Sequence, residues 1–240
     1  MNTRRLAAAS AVAAMLVTLL ADPVAAQSTS AELINGLNEQ LLIVAVPITL
    51  LVEGILLYAV IKFRGNDEPQ PTKENRRLEI TWTVATAVIL LFVGVASYGV
   101  MADESVEFTG GEEEVAPDEN DVLIQAQAYQ WGWDMSYPNE DVTVSGAGDG
   151  PTVVVPAGEE VYVNVSSRDV IHGFHVPELG MKSDAIPDQT NYIKTNASET
   201  GTYQGYCSEY CGVAHSQMYF TIKVVDQAEY NEWLDEQRDS

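Results

Sequence analysis

Cys207-Ser208-Glu209-Tyr210-Cys211-Gly212-Val213-Ala214-His215-Ser216-Gln217-Met218 holds both cysteines of a 240-residue chain, one of its three histidines and a methionine. The spacing Cys-x3-Cys-x3-His-x2-Met gathers two thiols, an imidazole and a thioether within twelve residues. Soft sulfur ligands with imidazole suit copper or zinc, and a weak Met ligand points to copper electron transfer more than to structural zinc. One loop rarely closes a metal site alone. The other two histidines lie together upstream in Asp169-Val170-Ile171-His172-Gly173-Phe174-His175-Val176-Pro177. Two other readings compete: a Cys207–Cys211 disulfide, which an exported domain permits, and a tetrahedral zinc held by Cys207, Cys211, His215 and His172. On spacing alone metal and disulfide stand level. Met218 and the second histidine group favour metal.

Around this loop the sequence carries short β-prone runs separated by turn residues: Val122–Trp133, Thr143–Ser145, Thr152–Val155, Glu160–Val165, Tyr192–Thr195, Gly201–Tyr206 and Met218–Val225. Gly146-Ala147-Gly148-Asp149-Gly150-Pro151 and Pro156-Ala157-Gly158 punctuate them. Such spacing predicts a β-sandwich or barrel of roughly 100 residues, over 121–226, followed by a short amphipathic helix or tail over 227–240. Residues 103–120, acidic with Gly110, Gly111 and Pro117, read as an exposed linker.

Upstream the pattern changes again. Leu41 to Ile61 carries one charge, Glu53, and Thr81 to Met101 carries none; at 1.5 Å per residue each spans roughly 31 Å, enough to cross a bilayer. The loop between them holds Lys62, Arg64, Lys73, Arg76 and Arg77, five of the twelve basic residues. That loop is expected to stay cytoplasmic, which places the β region outside the cell membrane. Glu53 within the first helix faces a partner subunit or snorkels to an interface. Residues 1–26 read as an export signal, with Arg4 and Arg5, an apolar run from Leu6 to Leu20, and Val24-Ala25-Ala26 at the cleavage site.

The net charge is −23 with a pI of about 4.2. After Met101 there are 27 Asp and Glu against five Lys and Arg. A nucleic-acid partner is excluded, because a phosphate backbone would be repelled. A basic docking partner is one reading of this surface. Because acid is spread along the whole region, a solvated surface adapted to high salt is the preferred one.

Taken together, the chain resembles subunit II of the haem–copper terminal oxidases, the subunit that carries the dinuclear CuA centre. The resemblance runs from about Leu41 to Val225. It rests on Asp169-Val170-Ile171-His172-Gly173-Phe174, on Met181-Lys182-Ser183-Asp184-Ala185-Ile186-Pro187 and on Cys207 to Met218. Leu78-Glu79-Ile80-Thr81-Trp82-Thr83 and Tyr129-Gln130-Trp131-Gly132-Trp133 add to it. The resemblance implies a cupredoxin Greek-key barrel behind a two-helix transmembrane hairpin. It makes Cys207 and Cys211 the thiolates bridging two coppers, with His172 and His215 the terminal imidazoles. Met218 becomes the weak thioether on one copper and Glu209 the backbone carbonyl on the other. It further implies that the Glu209 side chain reaches a magnesium shared with subunit I, that Trp131 receives electrons from the donor, and that Glu79 lies near the mouth of a proton pathway into subunit I. His175 does not match a ligand position. Tyr129 stands where many relatives carry a histidine.

The implied function is electron transfer from an external donor, a cytochrome c or a blue-copper protein, to haem in subunit I, where oxygen is reduced to water with proton pumping. Both cysteines lie in the loop and no Cys-x-x-Cys-His motif occurs, so no haem is expected on this chain. Direct quinol oxidation is disfavoured because all six ligand positions match. Two alternatives stay open on the residues alone: a membrane-anchored copper-handling or structural-zinc module, and a disulfide-linked sandwich acting in assembly.

Overall fold

A computed structural model describes residues 27–71, 73–106, 121–144 and 150–238. The export segment, most of the acidic linker and the turn at 146–149 lie outside the described residues.

Two long helices open the chain, α1 (Thr29–Phe63) and α2 (Arg76–Met101). Both are long and apolar enough to cross a membrane, and no residue of either apolar stretch is buried by the rest of the chain. Each begins earlier than its apolar run. For α2 the reason is a cap: Asn75 accepts a hydrogen bond from Leu78 N, and Glu79 sits in the first turn where the helix dipole favours negative charge. In α1, Ser28 caps by accepting from Ala31 N, and Glu32 occupies the first turn. With 35 residues, α1 is roughly 52 Å long, well beyond the roughly 30 Å hydrocarbon core.

The surplus turns of α1 dock on the β domain. Ser28 Oγ donates to Leu179 O at 2.6 Å, and Ser30 Oγ donates to Ser105 O at 2.5 Å and lies 3.2 Å from Thr195 Oγ1. Ser28, Ser30 and Ala31 are buried. The fit depends on Gly180, whose φ is +63° and whose missing Cβ would lie 2.8 Å from Ala31 N. Hydropathy reads only the membrane-crossing part of such a helix, so these polar, small-residue turns fall outside the sequence expectation.

The β region contains β1 (Val122–Tyr129), β2 (Gly132–Tyr137), β3 (Val142–Val144), β4 (Thr152–Pro156), β5 (Glu160–Ser167), β6 (His172–Val176), β7 (Met181–Ala185), β8 (Asn191–Asn196), β9 (Gly201–Cys207) and β10 (Tyr219–Val225), closed by α3 (Gln227–Arg238). They form two five-stranded sheets, ordered β3-β2-β1-β5-β8 and β4-β10-β9-β6-β7. Most pairs are antiparallel, but β1 with β5 and β10 with β4 are parallel. The sheets pack face to face in a cupredoxin sandwich. Alternation along the strands supplies the core, as in Val122, Ile124, Ala126 and Ala128 of β1 facing Phe220, Ile222 and Val224 of β10 across the interior.

Two sequence expectations change here. The run Val122–Trp133 is two strands, because the chain turns at Gln130-Trp131 and pairs Tyr129 with Gly132. Strands β6 and β7 were absent from the expected set. Their pattern is broken by Gly173, His175 and the polar Lys182-Ser183-Asp184, and a single 3-10 turn at Pro177–Leu179 joins them. Pairing with β9 and with each other stabilises what propensity alone does not.

Candidate metal centre

Cys207 ends β9 and His172 begins β6, neighbouring strands of one sheet. The loop from Ser208 to Met218 folds back over that end. Ser208 N donates to Gly173 O at 2.9 Å, and Cys207 N to Met218 O at 3.0 Å. Three donor atoms, one each from His172, Cys207 and Cys211, lie within 4.8 Å of one another, and all three residues are buried. Cys207 Sγ and Cys211 Sγ are 3.8 Å apart, far beyond the roughly 2.05 Å of a disulfide. They are free thiols.

The remaining candidates are arranged around this sulfur pair. His172 Nδ1 is 3.8 Å from Cys207 Sγ, and His215 Nδ1 is 3.6 Å from Cys211 Sγ, so the imidazoles stand at different sulfurs. Met218 Sδ is 3.8 Å from Cys211 Sγ, and the Glu209 carbonyl oxygen is 3.1 Å from Cys207 Sγ. All six positions expected from the sequence therefore converge. His175 does not: strand alternation turns it away from His172 and Phe174, and its ring meets Tyr206 at 5.1 Å. Glu79 sits at the loop end of α2, the opposite end of that helix from the β domain.

Trp131 is 41% exposed, yet its indole Nε1 donates to the Cys211 carbonyl at 3.2 Å. Gly212, with φ +128°, lets the loop pass this ring; a Cβ there would lie 3.0 Å from Nε1. Gln130 Nε2 donates to the same carbonyl at 2.7 Å.

Asp169 is the functional residue that the sequence reading passed over. Its Oδ1 lies 2.9 Å from His172 Nε2 and accepts from Val170 N at 2.7 Å, while Oδ2 accepts from Gln130 N at 2.7 Å. Partial burial raises its pKa, but the hydrogen bonds from His172, Val170 and Gln130 outweigh it and hold the carboxyl at about 2. The residue is an anion at neutral pH, able to accept a hydrogen bond from Nε2–H and so leave the Nδ1 lone pair towards the thiols. A carboxylate three residues before a candidate histidine ligand was the available signal. Behind His172 stands a packed aromatic group. Trp133 meets Phe174 at 5.6 Å and Phe220 at 5.3 Å, with the His172 ring 6.4 Å away.

The family description "Cytochrome C oxidase subunit II, transmembrane domain" matches residues 15–100, and "Cytochrome C oxidase subunit II, periplasmic domain" matches 147–225. The probable cytochrome c oxidase subunit 2 of Rickettsia bellii is 32% identical over 221 residues, covering 85% of this chain and 78% of the relative. The chain belongs to the cytochrome c oxidase subunit II family. Cytochrome c oxidase subunit 2 of Cereibacter sphaeroides is 31% identical over 253 residues, covering 91% of this chain and 78% of that protein. The crystal structure of the periplasmic domain of subunit II of cytochrome oxidase from Bradyrhizobium japonicum is 33% identical over 52% of this chain and 98% of that one, with a TM-score of 0.47.

Subunit II membership implies a CuA copper centre, and the donor set fits one. Thiolates 3.8 Å apart suit metal–sulfur bonds of about 2.3 Å, and imidazole, thioether and carbonyl donors complete a soft-to-borderline shell. Two apolar helices and a periplasmic-type domain make this a membrane protein with an extracytoplasmic domain.

Burial, with the neighbouring Cys207 thiol adding to it, pushes the Cys211 thiol up to about 12. A metal must therefore displace its proton at any physiological pH. Copper affinity is expected to rise about tenfold per pH unit for each thiol proton displaced, and to fail in acid. Chelator competition across pH measures this; a flat profile would rule out thiol deprotonation on uptake.

Proposed function

We propose that this chain is the electron-accepting subunit of a proton-pumping terminal oxidase in the plasma membrane. On this reading an external cytochrome c or blue-copper protein delivers electrons to it. They pass to haem in subunit I, which reduces oxygen to water. The observation that carries the reading is the convergence of His172, Cys207, the Glu209 carbonyl, Cys211, His215 and Met218 at the sulfur pair. Two coppers bound there would share one unpaired electron and act as a one-electron carrier.

The chain's residues have separate tasks in this reading. Cys207 and Cys211 bridge, while His172 and His215 terminate at different ends. Met218 and the Glu209 carbonyl are the weak donors. The β6 and β9 strands hold this geometry in both redox states, which keeps reorganisation small. Trp131 receives the electron, and its hydrogen bond to Cys211 O leads into the covalent path to Cys211 Sγ. The Glu209 carboxylate, on an exposed residue, reaches a magnesium shared with subunit I. Glu79 serves the mouth of a proton pathway. Residues 1–26 form the export signal, and 103–120 link the membrane helices to the copper domain.

Copper analysis and EPR on the copper-loaded chain test the reading. Two coppers per chain, with hyperfine structure from an electron shared equally by both nuclei, is the expected result. A single copper with a localised signal would favour a copper-handling module instead. Trp131→Phe removes the hydrogen bond to Cys211 and is expected to slow donor oxidation by about tenfold or more while leaving the copper spectrum unchanged. An unaltered rate would remove Trp131 from the route.

The acidic surface is taken as an adaptation to salt. Arg168, Lys194, Lys223 and Arg238 are each already engaged with a carboxylate, Asp134, Glu160, Glu229 and Glu140 respectively. This leaves most of the acid unneutralised. A donor reduction rate that stays flat or rises with ionic strength is expected. A steep fall with salt would assign the surface to donor docking.

A further inference from the structure

Two triplets in the extracytoplasmic domain read Asn-x-Ser with no proline between: Asn164-Val165-Ser166 and Asn196-Ala197-Ser198. No other asparagine of the chain has Ser or Thr two residues on. In an exported domain this pattern is the acceptor signal for an N-linked glycan, usable only where the asparagine amide can be reached. The fold treats the two triplets differently.

Asn164 lies in the middle of β5, an interior strand, paired with Gln125 of β1 on one side and Tyr192 of β8 on the other. Its Oδ1 is closed to solvent and has no hydrogen-bond partner among the described residues. Val165 and Ser166 continue the strand, so this triplet is extended and its backbone is committed to the sheet. Asn196 is the last residue of β8, an edge strand, and Ser198, Glu199 and Thr200 after it are exposed. Its Nδ2 donates to Gly158 O at 2.8 Å in a bond at the surface, and a Cβ on Gly158 would meet nothing within 4 Å. An asparagine amide carries two N–H groups: one keeps the bond to Gly158 while the other is replaceable. Asn196 also lines an open cavity of about 390 Å³ with Thr29, Glu104 and Lys194, which gives a first sugar room and charged groups to bond its hydroxyls. The turn itself is held in place, because Ser198 N donates to Gln27 O at 3.1 Å and the Tyr203 hydroxyl donates to Glu199 O at 2.9 Å.

We propose that Asn196 is an N-glycosylation site, taking a glycan from a lipid-phosphate-linked donor on the outer side of the membrane. In that transfer the bond from Asn196 Nδ2 to the sugar's anomeric carbon forms, and the bond from that carbon to the lipid phosphate oxygen breaks. The lipid phosphate leaves, and one amide proton is lost to the transferring enzyme. Ser198 is the hydroxyl which that enzyme reads. The position is compatible with the metal centre. The turn precedes Gly201 at one end of the seven-residue β9 and Cys207 ends the other, a separation of about 20 Å. A glycan rooted there starts well away from Trp131 and the ligand loop.

The test is mass spectrometry of the full chain purified from its native membrane, intact and after proteolysis. The peptide carrying Asn196 is expected to be heavier by a glycan, and the peptide carrying Asn164 to have its unmodified mass. Ser198→Ala is expected to abolish the modification while leaving Asn196 in place, and Ser198→Thr to restore it. Copper content of both variants, equal to that of the unaltered chain, checks that the domain has folded. An unmodified Asn196 in the native protein would overturn the proposal, as would a glycan on Asn164 instead. Modification that persists in Ser198→Ala would also overturn it, because the attachment would then not depend on the triplet.

Discussion

Asp169→Ala is expected to weaken copper retention by about 10- to 100-fold, the usual cost of losing a hydrogen-bond partner behind a histidine ligand. The reason is that one carboxylate holds two parts of the site. Through Oδ1 it fixes the His172 ring, fully buried at 0% exposure, so that Nδ1 faces Cys207. Through Oδ2 it holds Gln130 N, and Gln130 and Trp131 both donate to the Cys211 carbonyl. Losing the carboxylate leaves Nε2 and the Gln130 amide without their acceptor and frees the ring to rotate. Asp169→Asn keeps an acceptor for Nε2 but loses the charge, and should fall between. Chelator competition gives the affinity, and EPR shows whether the electron remains shared equally. If Asp169→Ala leaves both unchanged, the carboxylate has no part in positioning the ligands.

Gly205→Ala is the second substitution with a large expected effect, and it acts without touching a ligand. Gly205 pairs directly with Phe220 across β9 and β10, and a Cβ there would lie 2.1 Å from the Phe220 ring. The ring has no room to retreat: it is fully buried, stacked on Phe174 at 4.5 Å and against Trp133 at 5.3 Å. Overpacking of this kind costs about 1–3 kcal/mol, and a loss of about 2 kcal/mol lowers the melting temperature of a domain this size by about 10 °C. Because Trp133 also backs the His172 ring, the displaced aromatics should disturb the copper spectrum as well. Thermal unfolding monitored on the metal-free chain separates the two effects. A melting temperature within about 1 °C of the unaltered chain would show that Phe220 can yield, and would sink this account of the core.

Much of the site was legible before any folding. Five candidate ligands could be named from the residues because Cys207, Cys211, His215 and Met218 lie in one loop and His172 in a motif of its own, whereas the Glu209 carbonyl followed only from the resemblance to subunit II. The membrane helices could be named because twenty-odd apolar residues have few other uses. The acidic balance argued against a nucleic-acid partner from composition alone. These are properties of local sequence: residue chemistry at fixed spacing, and hydropathy summed over one segment.

Tertiary structure decided what depends on partners distant along the chain. That Cys207 and Cys211 remain thiols 3.8 Å apart follows from how β9 and the returning loop hold them. Four-residue spacing permits a disulfide equally well. That Asp169 serves both His172 and Gln130 required β1 and β5 to run parallel and adjacent, a pairing across some forty residues. That His175 is set apart from the ligands follows from the pleat of β6, a strand which its own composition does not announce. That α1 continues past the bilayer to seat Ser28 and Ser30 against Leu179, Ser105 and Thr195 is set by a surface that exists only once the sandwich has folded. Spacing along the chain names the atoms that could bind a metal; their distances and orientations are set by hydrogen bonds and packing between strands that the sequence keeps far apart.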